Sequence, residues 1–249
     1  MKPWYEDDAF WLHFAPVLFN STKWAAAEEE MRKTVELLGL NPENSESVLD
    51  ACCGVGRHAI ELARMGFRVT GVDRTSPFLH AAEETADAEE VEVEFINQDM
   101  RSFARPNYFD AVINMFTSFG YFDELQDEKK LLRNIYTSLK PGGRILIDVI
   151  GKEVVAREFK PYDWYEDEFG YMISEYRISD NWTRLYNRWI LIGEEGVFEY
   201  SFSHRLFSAT ELTSMIKECG FTDVRVYGSL DKTPYDHKAD VLTVMGRKP

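Results

Sequence analysis

The stretch Val48-Leu-Asp-Ala-Cys-Cys-Gly-Val-Gly-Arg-His-Ala59 decides the fold. Its apolar first half predicts a buried strand over Ser47–Cys52, and two glycines separate this strand from a helix predicted over Arg57–Met65. A glycine-rich turn of this kind lets a ligand approach bare backbone at the helix N-terminus, where N–H groups are unpaired. The stretch therefore predicts the first strand–turn–helix unit of a ligand-binding α/β sheet.

Short β-branched runs alternate with helical patterns after this unit. The predicted strands are Arg68–Asp73, Val91–Asp99, Phe109–Met115 and Arg144–Ile150. One helix is expected to begin at Ser76-Pro77, with the serine hydroxyl as its cap. Another is expected over Leu125–Leu139, ended by Pro141-Gly142-Gly143. Strands and helices that alternate at this spacing indicate a parallel sheet covered on both faces.

The alternation breaks between residues 160 and 207, where about three strand-like segments rich in aromatic residues occur near 171–179, 183–192 and 197–207. We interpret them as an inserted antiparallel meander within a single domain over 1–249. A final helix begins at the capping box Ser208–Glu211, and two strands near 223–230 and 240–247 close the chain. We favour recognition of the acceptor as the role of the aromatic residues in the insertion, and contact between the two chains of a homodimer is the second candidate.

Aromatic residues are also dense at the N-terminus, where the first twenty residues contain Trp4, Tyr5, Phe10, Trp11, His13, Phe14 and Phe19. Residues 1–40 are expected to form a helical lid over the ligand site. A helix packed on the edge of the sheet explains the same pattern.

Charge narrows the class of partner. The chain has 249 residues and a formal net charge of −15, whereas nucleic-acid binders need a basic face. Nucleic acid and anionic membrane are therefore disfavoured as partners, and no apolar run is long enough for a membrane span. Three cysteines without a CxxC spacing indicate reduced thiols, a cytoplasmic location and metal independence.

Three acids at predicted strand ends distinguish between nucleotide ligands. Asp73 ends the second strand, where a carboxylate suits ribose hydroxyls, and this alone fits an NAD site equally well. Asp50, at the tip of the first strand, repels a pyrophosphate but suits an ammonium or sulfonium group. Asp99, after the third strand, can accept from an adenine amino group. A cationic adenosine ligand without phosphates is S-adenosylmethionine.

These motifs, in this order, resemble those of class I S-adenosylmethionine-dependent methyltransferases over essentially the whole chain. The motifs are VLDACCGVGRHAIELARMG, VTGVDRTSPFL, INQDM, FDAVINMFTSFGYF and LKPGGRILIDV. The resemblance implies a Rossmann-like, mostly parallel seven-stranded α/β sheet of order 3-2-1-4-5-7-6 with its last strand antiparallel. Cys52 departs from the glycine that the family often has there.

The resemblance also implies roles for individual residues. It predicts a cofactor site of Asp50, Gly54, Gly56, Asp73, Asp99, Met100, Asn114 and Met115. We expect Ala51, Arg57 and Arg74 to belong to the same site, Arg57 because its position at the helix start allows it to pair with the cofactor carboxylate. We expect Tyr121 or His204 to position or deprotonate the acceptor, His204 because an imidazole ordinarily titrates near neutrality.

The function expected from the sequence is methyl transfer by in-line displacement to a small-molecule acceptor, an amine among the candidates. A non-catalytic protein that senses S-adenosylmethionine would keep every motif but lack an acceptor cavity. An NAD-dependent oxidoreductase would leave Asp50 and Asp99 unexplained.

Overall fold

The computed structural model describes residues 2–179 and 181–249, and its helices cover the N-terminus and both faces of a large sheet. The helices are α1 Asp8–Leu18, α2 Ser21–Leu38, α3 Arg57–Arg64, α4 Ser76–Ala88, α5 Leu125–Ser138, α6 Lys152–Glu158 and α7 Ala209–Glu218. The strands are β1 Ser47–Ala51, β2 Arg68–Asp73, β3 Val93–Asn97, β4 Phe109–Asn114, β5 Leu139–Val149, β6 Tyr162–Asp167, β7 Gly170–Ser179, β8 Arg184–Gly193, β9 Gly196–Arg205, β10 Thr222–Tyr227 and β11 Leu242–Arg247. Short 3-10 turns lie at Trp4–Glu6 and Pro42–Asn44.

The large sheet has the order β3-β2-β1-β4-β5-β11-β10. Neighbours from β3 to β5 are parallel, β11 is antiparallel to β5, and β10 is antiparallel to β11. This confirms the predicted fold class and strand order. The remaining strands, β6-β7-β8-β9, form a separate antiparallel sheet between β5 and α7 in the sequence.

Apolar side chains cover both faces of the large sheet. On one face Met31 and Leu38 of α2 and Leu62 of α3 pack with strand residues such as Val48. On the other face α5 and α7 contribute Leu132 and Ile216 among others. All of these side chains are at most 1% exposed, so each stabilises the fold by roughly 1.5–3 kcal/mol through burial.

A third apolar cluster joins the N-terminus to the small sheet. Phe10 and Phe14 of α1 pack against Met172, Leu191 and Phe202 on the inner face of that sheet. Helix α1 therefore lies on the small sheet and not on an edge of the large one.

Several local predictions were wrong. The insertion has four strands, where about three were predicted. The prediction missed β6 because five of its six side chains are exposed, so buried and exposed residues do not alternate along it. Pro141-Gly142-Gly143 lies within β5 as an irregularity in its pairing with β4 and not in a helix end. Thr75, not Ser76, is the N-cap of α4, and its side chain makes no capping hydrogen bond. The short helix α6 was also unforeseen.

Candidate active site

A cavity of about 600 Å³ lies at the carboxyl ends of the parallel strands. The strand order reverses between β1 and β4, and open α/β sheets bind ligands at such a reversal. The N-terminal segment and the inner face of the small sheet line the opposite side of the cavity. Among the predicted residues, Asp50, Gly54, Arg57, Asp73, Arg74, Asp99, Met100, Met115, Tyr121 and His204 line it.

Three predicted cofactor residues do not line the cavity. Ala51 is fully buried, and its carbonyl accepts from Asn114 Nδ2 at 2.8 Å, so these two residues tie β1 to β4. Gly56, with φ +77°, is the N-cap of α3. A Cβ there would lie 2.8 Å from the Cβ of Ala82 and 3.0 Å from the Phe95 ring. Gly56 therefore allows close packing, whereas a direct ligand contact was expected.

The turn after β1 is fastened to the end of β2. One carboxylate oxygen of Asp73 accepts from the Gly54 N–H at 2.9 Å, and the other accepts from the Thr75 N–H at 2.8 Å. Burial raises the pKa of Asp73, and these two backbone donors oppose that effect. A carboxylate oxygen has two acceptor positions, so Asp73 retains acceptor capacity toward the cavity.

Asp50 is the most unusual group in the cavity wall. Its side chain is 2% exposed, and Oδ2 has no hydrogen-bond partner among the described residues. Burial raises the pKa of Asp50 to about 7; nearby Arg57 opposes the rise and Asp73 adds to it. A buried carboxylate oxygen without a partner is costly, so this position is suited to a cationic ligand group.

A cationic corner faces Asp50. The Arg57 guanidinium and the Lys23 ammonium lie over the Phe116 ring, 5.1 and 4.9 Å from its centroid. Arg57 is 3% exposed, and its Nη2 has no partner in the described structure. Neither Lys23 nor Phe116 was predicted as a site residue from the sequence.

Glu30 of α2 holds this corner in place. Its Oε2 accepts from Arg57 Nη1 at 2.5 Å and lies 2.8 Å from His58 Nε2. Burial raises the pKa of Glu30, but His58 and Arg57 outweigh that effect and lower it to about 2. Burial lowers the pKa of His58.

The loop after β4 is strained. Phe116 and Thr117 both have φ +58°, a conformation rare for a β-branched residue. The Thr117 N–H donates to the Asp148 carbonyl at 3.0 Å, and its hydroxyl accepts from the Ile150 N–H at 3.2 Å. These bonds to the end of β5 hold Phe116 beneath the two cations.

Arginines from the loops after β2 and β3 hold the N-terminal segment over the cavity. Arg74 Nη1 donates to the Tyr5 carbonyl at 2.9 Å, and Arg101 Nη2 donates to Glu6 at 3.1 Å and to Asp99 at 2.6 Å. Burial raises the pKa of Asp99, but Arg101 outweighs it, so the net shift is downward. Asp99 is therefore a carboxylate, although one already bonded to arginine.

The two predicted catalytic residues lie toward the small sheet. Tyr121 packs against Trp4, with ring centroids 4.8 Å apart, and burial raises the pKa of its phenol. Burial and, secondarily, Arg184 lower the pKa of His204 to about 4. The expectation that His204 titrates near neutrality is therefore wrong.

Aromatic side chains of the small sheet line the same cavity as His204, among them Tyr176, Trp189 and Phe202. Two acids, Asp148 and Asp240, also line it, and Asp148 interacts electrostatically with Glu30 and Arg57 and so lies on the side of the cationic corner. Burial raises the pKa of Asp148 to about 6, while its Oδ2 accepts from the Thr243 hydroxyl at 2.9 Å. Asp148 lies at the carboxyl end of β5, in the sequence RILIDVI. The argument from strand ends that selected Asp50 would also have selected Asp148 as a candidate site residue.

Within residues 2–179 and 181–249, no group of His, Cys, Asp and Glu side chains could hold a metal ion. No helix in the same part of the chain is long and apolar enough to cross a membrane.

Comparisons with known proteins agree with this architecture. Residues 48–143 match a family model described as "Methyltransferase domain". A putative methyltransferase of Geobacillus sp. (strain WCH70) is 27% identical over 247 residues, covering 96% of this chain and 98% of the relative. A glycine/sarcosine N-methyltransferase of Aphanothece halophytica is 26% identical over 222 residues, covering 84% and 78%. The structure of an S-adenosylmethionine-dependent methyltransferase from Clostridium acetobutylicum ATCC 824 superposes with a TM-score of 0.78 at 15% identity, covering 96% and 98%.

The sheet order and the cavity at its reversal define a Rossmann-like α/β protein with a ligand site at the strand ends. Residues 48–143 match a methyltransferase domain, and nearly the whole chain is similar in sequence or fold to methyltransferases, among them an S-adenosylmethionine-dependent one. This similarity favours a methyltransferase over an NAD-dependent oxidoreductase.

Proposed function

We propose that this protein transfers a methyl group from S-adenosylmethionine to a small-molecule amine. One observation carries the proposal: a buried carboxylate oxygen without a partner, on Asp50, lies in a cavity that aromatic side chains of the small sheet also line. A cationic cofactor fits the part of this cavity at Asp50, and an amine fits the second part, at the aromatic side chains.

The residues present fit the cofactor. Asp50 would accept from the ammonium of its methionine part, and the cationic corner of Arg57 and Lys23 would take the carboxylate. Asp73, which retains acceptor capacity, would accept from the ribose hydroxyls. Asp99 and Met100 would border the adenine, and Arg74 and Met115 would complete the wall. When bound, the cofactor supplies an electrophilic methyl group on a sulfonium.

The contribution of the chain is to exclude water and to align the acceptor. Aromatic side chains from the N-terminus and the small sheet, including Trp4, Trp11, Trp189 and Phe202, enclose the cavity. Orientation of two reactants can lower a barrier by several kcal/mol, and a neutral amine attacks without a general base.

The chemistry of the second part favours an amine over an acidic acceptor. The three Lys or Arg side chains among the described lining residues, Lys23, Arg57 and Arg74, come from α2, the start of α3 and the loop after β2. The described small-sheet residues contribute no Lys or Arg to the lining, and the aromatic faces of Tyr176, Trp189 and Phe202 attract a cation. The Aphanothece halophytica relative is named for methylation of nitrogen.

The N-terminal region 1–40 would act as the lid. Helix α1 packs on the small sheet, and the turn before it bonds to Arg74 and Arg101 beside the cofactor pocket. The segment thus lines the cavity, and its movement would change access to the cavity.

Calorimetry tests the proposal directly. S-adenosylmethionine and S-adenosylhomocysteine should bind, and Asp73→Ala should abolish binding, while Glu94→Ala, an exposed acid on β3 paired with Arg105, should not. Incubation with labelled cofactor and fractionated metabolites should then label an amine. Selective binding of NAD, or cofactor binding without transfer to any fraction, would refute the proposal.

A further inference from the structure

Two polar side chains stand together on the inner face of the small sheet, and the proposed transfer does not account for their pairing. Asn187 of β8 is 4% exposed, His204 of β9 is also mostly buried, and both line the cavity. Asn187 Nδ2 donates to the Leu185 carbonyl at 3.1 Å and lies 3.3 Å from His204 Nδ1.

These contacts fix the hydrogen on the imidazole. The Leu185 carbonyl can only accept, so it holds the amide of Asn187 with the NH2 group toward it, and the second N–H of that group points to Nδ1. Nδ1 must therefore be the acceptor. In a neutral imidazole with Nδ1 as acceptor, the hydrogen is on Nε2.

The surroundings keep the ring neutral and leave the Nε2–H free. Arg184 on the same strand as Asn187 is the charged group that acts on His204, and it is held by Asp123 at 3.1 Å and by the Phe122 carbonyl at 2.9 Å. Within residues 2–179 and 181–249, no group accepts from Nε2. A ring that lines a cavity with one fixed, unused donor is suited to a ligand with a lone pair.

We propose that His204 is a neutral hydrogen-bond donor to the acceptor molecule, that Asn187 is the residue that positions it, and that His204 removes no proton. The acceptor is then an amine that carries a hydroxyl, ether or carbonyl oxygen near the methylated nitrogen. The identity of the ligand rests on the proposed function, whereas the state of the imidazole does not.

The state of the imidazole is tested without any ligand. Long-range ¹H–¹⁵N correlation spectra of the full chain, labelled at histidine, distinguish the two tautomers, and His204→Gln assigns the signal. We expect His204 to be neutral with its hydrogen on Nε2 throughout the range from about pH 5.5 to 8. Hydrogen on Nδ1, or titration near pH 6.5, would overturn the proposal whether or not the protein transfers methyl groups.

The role of Asn187 is tested by reversing the polarity of its contact. In Asn187→Asp the carboxylate accepts from Nδ1–H, so the hydrogen should move to Nδ1 or the ring should titrate at a higher pH than in the wild type. An unchanged tautomer and titration in a folded Asn187→Asp protein would overturn the positioning role. If this variant does not fold, the wild-type spectrum still decides the tautomer.

The ligand is tested with a matched pair of probes, trans-2-aminocyclohexanol and cyclohexylamine, added to the protein with S-adenosylhomocysteine. The amino alcohol should bind roughly fivefold more tightly, His204→Leu should abolish the preference, and His204→Gln, which keeps an N–H donor, should retain most of it. Equal affinity for the two probes, or binding of neither, would overturn the predicted oxygen on the acceptor. Calorimetry of S-adenosylhomocysteine alone reports separately on the proposed function.

Discussion

Replacement of Asp50 by asparagine should weaken cofactor binding and remove its pH dependence. The pKa of Asp50 is about 7 in the empty cavity, and an ammonium group at Oδ2 should return it to about 4, its ordinary range. Because the bound form requires the carboxylate, affinity should rise as pH increases through 7 and level off above it. An affinity that rises with pH means that the protein releases a proton when the ligand binds.

The magnitude follows from the two pKa values. Between about pH 8 and pH 6 the wild-type dissociation constant of S-adenosylhomocysteine should increase about tenfold, or roughly 1.4 kcal/mol. Asp50→Asn corresponds to the protonated acid and should bind about two to three orders of magnitude more weakly at pH 8, with little change down to pH 6.

Isothermal calorimetry at several pH values measures these constants. Methylthioadenosine, which lacks the ammonium, should bind with an affinity that does not change with pH in this range. Asp148→Asn is the control variant. Because the pKa of Asp148 is about 6, its replacement should leave the change in affinity near pH 7 in place. Asp50→Asn should also unfold at a higher denaturant concentration at about pH 8, because a buried carboxylate with a raised pKa destabilises the fold increasingly as pH rises through that pKa. A pH-independent wild-type affinity, or a variant that binds as tightly, would refute the role of Asp50.

Three further substitutions or deletions test the rest of the site. Gly56→Ala should lower the free energy of unfolding by about 1–3 kcal/mol in denaturant titrations, since its Cβ would approach Ala82 to 2.8 Å at a positive φ; an unchanged midpoint would contradict this. Glu30→Gln should cost roughly 2 kcal/mol at neutral pH and reduce cofactor affinity. The stability that Glu30 contributes is present above its usual pKa of 4.5 and is lost as pH falls toward about 2, so wild type and variant should converge in acid. Deletion of residues 1–20 should weaken binding of S-adenosylhomocysteine in calorimetry, and unchanged affinity would exclude a lid.

The sequence predicted the parallel sheet well because its strands are short, apolar and separated by glycine turns and helices. Patterns of this kind reflect burial, and most residues of β1, β2 and β4 are buried, whereas the edge strand β3 is only half-buried. The same reasoning failed for β6, in which Tyr162 and Trp164 are 69% and 67% exposed, since an exposed edge strand has no buried side to alternate with. It also failed at Pro141-Gly142-Gly143, where the chain continues in an extended conformation through residues that usually end an element.

The candidate site was predictable where chemistry follows strand ends and unpredictable where it depends on contacts between distant segments. Asp50, Asp73 and Asp99 each end a strand or follow it directly, so topology alone brings them to one edge. The charged sequence around Glu30 is typical of a solvent-exposed helix face. Glu30 meets Arg57 only because α2 packs on α3, and the sequence alone does not show this packing. The wrong expectation for His204 has the same origin, because neither Asn187 nor Arg184 is a sequence neighbour that signals its environment.

The packing of α1 on the small sheet has a consequence for how the chain acquires its structure. Phe10 and Phe14 are synthesised well before their partners Leu191 and Phe202, which lie far along the chain. At ribosomal rates of about 5–20 residues per second, the apolar side of α1 is made on the order of 10 seconds or more before the surface that buries it. Helix α1 thus stays unpacked while most of the residues after it are made, and packing between segments so distant in the sequence predicts slow folding.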